Sequence, residues 1–269
     1  MQEIKGLDLS FSRAGLEWWE RRYGEGYRVM FQCLWTGGSI TSAPLWRVAP
    51  ANILDAAEAG FICGGYANAA PWANGETCFV GAKEVAGDAW PMLSHFAVDI
   101  EIGVWNGQDI RPADVNWMIE LGRDEGKEIL TYSADWFVGF WAMGLPGTPT
   151  FPANYWYARY DGDPAIGQPL YPLGPVAGKQ WGGREVEGVT IDENTFDAAL
   201  FQREQETFMA LTDDEQTDLK NRVATIASFI EEMKSAGLTV PDLVALKNRI
   251  NSLSAAGTVD GTYEIKKKS

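Results

Sequence analysis

The sequence predicts an α/β protein: an irregular, TIM-like (β/α) barrel followed by a small C-terminal α-helical hairpin. Three observations lead there. Short apolar runs of strand character alternate with helix-like stretches over the first ~200 residues, eight such runs can be counted, and the composition changes after residue ~204. Alternation of β and α favours a parallel sheet, and eight strands favour closure into a barrel. The division is placed at 1–204 for the barrel and 205–269 for the helical module.

Taken in order, IKGLDLS (4–10) reads as the first strand, and RAGLEWWERRYG (13–24) as a helix closed by a glycine. YRVMFQCLW (27–35) is a strand, NILDAAEAG (52–60) a helix, FICGGYA (61–67) a strand, and GAKEVAGDAWPML (81–93) begins as a helix. SHFAVDIEI (94–102) is the fourth strand. RPADVNWMIELGRDEGK (111–127) is a helix with Pro112 in its first turn, where a missing N–H does no harm. EILTYS (128–133) is a strand, DWFVGFWAMG (135–144) a helix and NYWYARY (154–160) a strand. GPVAGKQWG (174–182) and VEGVTIDEN (186–194) close the series with little helix between them. Beyond them Leu219, Val223, Ile226, Ile230 and Met233 form a heptad seam opened by a Thr212/Glu215 capping box and closed by Gly237. A second helix follows Pro241. The pair packs as an ordinary hairpin or mediates self-association or attachment to a larger assembly.

Composition narrows the function. A formal net charge of −15 repels polyanions, which argues against nucleic-acid binding through phosphate neutralisation. Lys266–Lys268 reads as a solvated tail. No apolar run reaches the roughly 18 residues of a membrane span, so no membrane insertion is expected. The opening MQEIKGLDLS has no basic stretch followed by an apolar one, so no secretory signal is expected. Cys33, Cys63 and Cys78 are odd in number and lack metal-ligand spacing, and read as buried free thiols. A single histidine excludes a His-rich metal site, and His95 reads as a core residue. No metal site is expected, and carboxylates remain as the plausible catalysts.

The stretch SHFAVDIEIGVW (94–105) carries Asp99 and Glu101 two positions apart. In a strand such residues share a face, with Cα atoms about 6.6–6.8 Å apart. An inward acidic face is costly unless it opens on a cleft, and barrel enzymes place their chemistry at the C-terminal mouth. Two carboxyls this close couple, so one is held protonated near neutral pH as a candidate general acid. Glycosidic cleavage needs such a pair. Taken alone, D-x-E fits an ordinary surface strand better. Asp8 at the end of the first strand and Asp192 at the end of the last change the balance, because those strands are neighbours in a closed barrel. Four acids would then ring one cleft. Twelve tryptophans add flat faces suited to sugar rings. Trp72, Trp105, Trp136 and Trp181 fall just past strand ends, where packing is the simpler reading and a sugar platform the alternative.

Over residues ~4 to 197 the chain resembles the lysozymes of glycoside hydrolase family 25, which include many phage endolysins. GLDLS resembles the family's opening G-x-D-x-S, VDIE its D-x-E, GGYA the end of its third strand, YWYARY its W-x-A-x-Y strand, and QW with GVTIDENTF its closing motif. The resemblance implies a muramidase that cuts the β-1,4 bond between N-acetylmuramic acid and N-acetylglucosamine of peptidoglycan strands. It implies Glu101 as general acid/base and Asp99 as nucleophile or as the group orienting the substrate's N-acetyl. It also implies Asp8 and Asp192 as supporting acids, and Tyr66 and Tyr132 as aromatics lining the cleft. No cofactor is implied. Where many members carry a lysine and T-x-G after the second strand, this chain reads QCLWTGGS. Trp35 is assigned part of that wall, and Trp181 is kept as a further substrate-binding candidate. The expected setting is a phage product made in the host cytoplasm that acts on the bacterial cell wall, as a released lysin or a virion component. The alternatives are a virion-associated glycan binder with weak or no turnover, and activity on another N-acetylated polysaccharide such as chitin.

Overall fold

A computed structural model describes residues 2–36, 45–101, 110–142 and 149–201. The helical module expected at 205–269 and Trp105 lie outside the described residues. Eight strands close into a barrel in sequence order. They are β1 (Glu3–Leu9), β2 (Tyr27–Trp35), β3 (Ile62–Asn68), β4 (Leu93–Asp99), β5 (Glu128–Ala134), β6 (Asn154–Ala158), β7 (Val176–Val186) and β8 (Val189–Asp197). The helices are α1 (Leu16–Gly24), α2 (Leu45–Glu58), α3 (Gly75–Ala86), α4 (Pro112–Asp124) and α5 (Asp135–Ala142). Among the described residues the barrel from β6 onward carries only a short 3-10 turn, Ala198–Leu200, in keeping with the irregularity expected there.

Several expected boundaries move. The second helix starts at Leu45 rather than at 52. The third starts at Gly75, where the Asn74 side chain caps it by accepting from the Thr77 N–H at 2.8 Å. It gives way to a 3-10 stretch at Gly87, whose φ of +52° no continuing α-helix adopts. α4 begins on Pro112, as its fixed φ favours. β4 ends at Asp99, so Glu101 lies two residues past the strand rather than within it.

The larger correction concerns direction. β1 through β7 pair in parallel, but β8 runs antiparallel to both β7 and β1. The cause is the turn between them. Val186 pairs with Val189 across Glu187 and Gly188, whose φ angles are +55° and +80°. Two residues of positive φ make a tight hairpin whose twist matches the strands, whereas a parallel return needs a crossover of a dozen or more residues.

The barrel axis is filled by alternate strands. Phe31 on β2 meets Trp156 on β6 at 5.0 Å between ring centroids, Phe196 on β8 at 5.6 Å and His95 on β4 at 6.4 Å. Room for these rings comes from glycines on odd strands. A Cβ on Gly64 (β3) would lie 2.3 Å from the Phe31 ring, and one on Gly6 (β1) or Gly178 (β7) would lie 2.5 Å from the Phe196 ring. Large on even strands and bare on odd ones is a layered barrel core. Phe201 stacks on His95 at 4.3 Å and closes the bottom. His95 Nε2 faces the Leu200 carbonyl at 3.3 Å and must donate to it, which leaves Nδ1 to accept from Ser94 Oγ at 2.7 Å. Burial pushes its pKa down to about 4, so it is the neutral core histidine the sequence suggested. Cys33, Cys63 and Cys78 are buried, as expected.

Gly64→Ala drives a methyl into the Phe31 ring at the axis and is expected to cost about 1–3 kcal/mol. Gly24→Ala, which meets no atom within 4 Å, is expected to be neutral or slightly stabilising. Urea midpoints at unchanged m-value check both.

Candidate active site

At the C-terminal mouth the strands open into a cleft of 180 Å³. Asp8 from β1, Asp99 from the end of β4, Glu101 just beyond it and Asp192 from β8 all line it. Asp192 reaches the mouth from the first half of β8, not from a C-terminal strand end, because β8 runs downward. The antiparallel pairing sets Asp8 and Asp192 directly opposite each other. On the other flank Asp192 is paired with Gly183, whose added Cβ would lie 2.3 Å from Asp192 Oδ1. The carboxylate therefore lies over bare backbone.

None of the described residues lining the cleft is Lys, Arg or His. The acids are consequently pushed toward their neutral forms. Asp8 and Asp99 are buried, and burial is the main force raising both. Asp192 adds to the rise at Asp8, and Glu101 to that at Asp99. Burial lifts Glu101 to about 7, with the Ala134 N–H opposing, Asp192 adding and the Tyr132 hydroxyl opposing, and burial lifts Asp192 to about 6. At neutral pH the cleft thus holds a carboxyl with an available proton beside acids able to carry charge, the division of labour that acid-assisted cleavage requires.

Amides offset part of the burial. Asp8 Oδ2 accepts from Asn194 Nδ2 at 2.8 Å and Gln180 Nε2 at 2.9 Å. Asn194 Oδ1 accepts from the Trp156 indole N–H at 2.9 Å, and since an indole only donates, that bond fixes which way the amide points. Asp99 Oδ2 accepts from Asn68 Nδ2 at 2.6 Å. Its Oδ1 is buried and has no hydrogen-bond partner among the described residues. Leaving such an acceptor unmet costs about 1–3 kcal/mol, which a ligand donor would recover. Among the described residues no group of three His, Cys, Asp or Glu side chains is arranged to hold a metal ion.

Tyr66 and Tyr132 line the cleft as expected. The Tyr66 hydroxyl meets Ser10 Oγ at 2.9 Å, and Tyr132 packs on the Trp156 ring at 4.5 Å. Trp35 and Trp181 do not line it. Cys33 takes the cleft-facing place on β2, and an irregularity in pairing between Cys33 and Trp35 turns the Trp35 indole outward onto Gly81 of α3. On β7, Gln180 faces the cleft and its neighbour Trp181 therefore does not. Trp136 stands 71% exposed, so the packing reading fails for it.

Sequence reasoning missed Asn68, Trp156, Tyr160, Gln180 and Asn194. Signals existed for four of them. Trp156 and Tyr160 share one face of YWYARY, Asn194 shares the face of Asp192, and Gln180 heads the QW motif.

The barrel is similar to several solved structures. A muramidase from Trichobolus zukalii matches at 19% identity over 74% of this chain and 96% of that chain, with a TM-score of 0.50. A glycosyl hydrolase 25 of Streptococcus pneumoniae, described as a virulence factor participating in host cell invasion, matches at 15% identity over 73% and 88%, with a TM-score of 0.51. A muramidase from Acremonium alcalophilum matches at 22% identity over 73% and 96%, with a TM-score of 0.49. No protein-family model and no curated protein matches the chain. The first two likenesses establish a glycoside hydrolase 25 lysozyme-like barrel fold.

Because Asp99 is raised in the folded state, the fold retains a proton that the unfolded chain releases above pH ~4. Stability then falls as pH rises from that point. Asp99→Asn removes the penalty, so its Tm is expected to exceed wild type by about 2–4 °C at pH 7.5. The gain should shrink toward zero at pH 4, as calorimetry at the two pH values would read.

Proposed function

We propose that the chain is a peptidoglycan hydrolase of the muramidase type, cleaving the β-1,4 bond between N-acetylmuramic acid and N-acetylglucosamine. The observation that carries this reading is the convergence of Asp8, Asp99, Glu101 and Asp192 in one cleft with a proton held on Glu101 near neutral pH. In this reading Glu101 protonates the leaving glycosidic oxygen and later takes a proton from water. Asp99 serves the anomeric carbon, directly as nucleophile or by accepting the N–H of the substrate's acetamido group, and Oδ1 is the atom free for either task. Asp8 and Asp192 hold negative potential around the developing oxocarbenium. Trp156, Tyr66 and Tyr132 give the sugar an apolar wall. A phage lysin or virion component acting on the wall is the proposed setting, with residues 205–269 serving oligomerisation, attachment or wall binding.

Purified peptidoglycan incubated with the protein should gain reducing ends. Glu101→Gln should lower the rate by at least about 10². Binding without new ends in the wild type would instead make the chain a glycan binder. Release of ends from chitin in preference to peptidoglycan would move the substrate class.

The rate should fall as pH rises through about 7, since the acid then loses its proton. It should also fall at low pH as the partner acids become protonated, so a pH–kcat/KM profile should be bell-shaped. The −15 charge opposes binding to walls rich in anionic polymer, so retention on such walls should improve between low and physiological salt. Pull-downs at two ionic strengths check this.

A further inference from the structure

On the rim of the mouth beside β5 and β6 the protein leaves several large apolar side chains in water. Trp136, second residue of α5, is 71% exposed, Leu170 72% and Tyr160 60%, and Tyr171 is exposed beside them. They come from two segments, the start of α5 and the 159–171 stretch that follows β6.

One buried carboxylate ties those segments together. Asp135 opens α5, and its Oδ2 accepts from Arg159 Nε at 3.0 Å and from Arg159 Nη2. Its Oδ1 accepts from the Leu170 N–H at 3.0 Å. Trp136 and Tyr160 are the chain neighbours of the two ends of that ion pair. Tyr171 lies on Gly139, where an added Cβ would stand 2.7 Å from its ring. Gly139 is three residues beyond Trp136 and so shares its side of the helix. Tyr160 joins this group to the cleft, which it lines, and its hydroxyl donates to Gln180 Oε1 at 2.5 Å.

We propose that this rim is an aromatic shelf that carries the glycan strand onward from the cleft, with Trp136 stacked on the face of a sugar ring lying outside it. The inference rests on the glycan-cleaving reading above and names where the rest of the strand runs.

Three observations carry it. The cleft holds 180 Å³, small beside the roughly 300–1,000 Å³ of pockets that enclose a whole ligand, so most of a polymer must lie beyond it. The shelf begins where the cleft ends, because Tyr160 belongs to both. The Asp135–Arg159 tie also fixes the shelf in one shape before anything binds, which lowers the ordering cost of an occupant. A pyranose suits the place, since its face of C–H groups meets a flat ring and its hydroxyls stay in water. A stable protein interface needs about 20–30 residues a side, far more than these four side chains.

The test titrates full-length protein with peptide-free peptidoglycan oligosaccharides of increasing length, from the disaccharide upward, read by calorimetry. Both binding partners in the comparison, with and without Trp136→Ala, carry Glu101→Gln so that the strand is not cut. KM and kcat for release of reducing ends are measured in parallel with Glu101 intact. Affinity should rise with length. Trp136→Ala should weaken the longest strand about tenfold and the disaccharide less than about twofold. KM for long strands should rise with it while kcat stays within a few-fold. Leu170→Ser should lose a smaller part of the same increment. Trp117→Ala, which removes an exposed tryptophan of α4, should change neither quantity. Each of these side chains is exposed, so the variants should keep the wild-type Tm.

The inference is overturned if Trp136→Ala binds the longest strand as well as its parent does, or if it weakens the disaccharide equally, which would put Trp136 inside the cleft. Self-association of wild type that light scattering finds lost in Trp136→Ala would overturn it too, by making the rim a contact between copies. Length-dependent binding lost in Trp136→Ala, with no reducing ends from wild type, would keep the shelf and reject the muramidase reading. Reducing ends from wild type, with no effect of Trp136→Ala at any length, would do the reverse.

Discussion

Four carboxyls, all raised by burial, share one cleft with no cation among the described residues that line it. That constraint shapes the mouth of the barrel. A buried carboxylate without a positive partner either keeps its proton or collects hydrogen-bond donors. Both solutions are present. Asp8 collects two amides, Asp99 collects one and leaves an oxygen bare, and Glu101 keeps a proton near neutral pH. Had a lysine or arginine stood among them, the acids would be stabilised as anions and the proton donor would be lost. Stability given up at the mouth is thus the physical counterpart of the proposed chemistry.

The reversal of β8 makes the arrangement possible. A parallel eighth strand would present its C-terminal residues to the mouth. The antiparallel strand presents Asp192 and Asn194 instead, opposite Asp8 on one side and the Gln180–Gly183 segment of β7 on the other. The supports of Asp8, the glycine beneath Asp192 and the amide that accepts from the Tyr132 hydroxyl all come from this hairpin. A two-residue turn at Glu187–Gly188, on the mouth side of the barrel, therefore decides which residues β8 brings to the cleft. Below, the layer of Phe31, Trp156 and Phe196 seats the floor of the cleft on rings that interlock with glycines. Close-packed floors of this kind leave polar side chains above them little freedom to shift.

Much of this was legible in the chain. β2 spans the residues its apolar run marked, and the other strands fall close to theirs, because strand runs bounded by turn residues report burial directly. Asp8, Asp99, Glu101 and Asp192 were recognisable as a set because each stands in or just past an apolar strand run, although Asp192 proved to lie in the first half of its strand and Glu101 beyond the end of its own; His95 was recognisable from its solitude. The two tryptophans assigned to the cleft were misplaced for a local reason. Trp35 has the parity of Cys33, and only the pairing irregularity between them breaks the alternation. Such breaks carry no side-chain signature.

What the order of residues settled was periodicity: which segments are strands, which faces are apolar, and which acids end up near a strand terminus. These depend on neighbours a few positions apart. Strand direction in β8 and the bonds from Gln180 and Asn194 to Asp8 depend instead on partners 172 and 186 residues away. An alternating pattern is the same read in either direction, and an amide's choice of partner is made by whatever closure of the barrel sets beside it. Those features came into being with the closed sheet, because only there do burial and the scarcity of donors act on all of them at once.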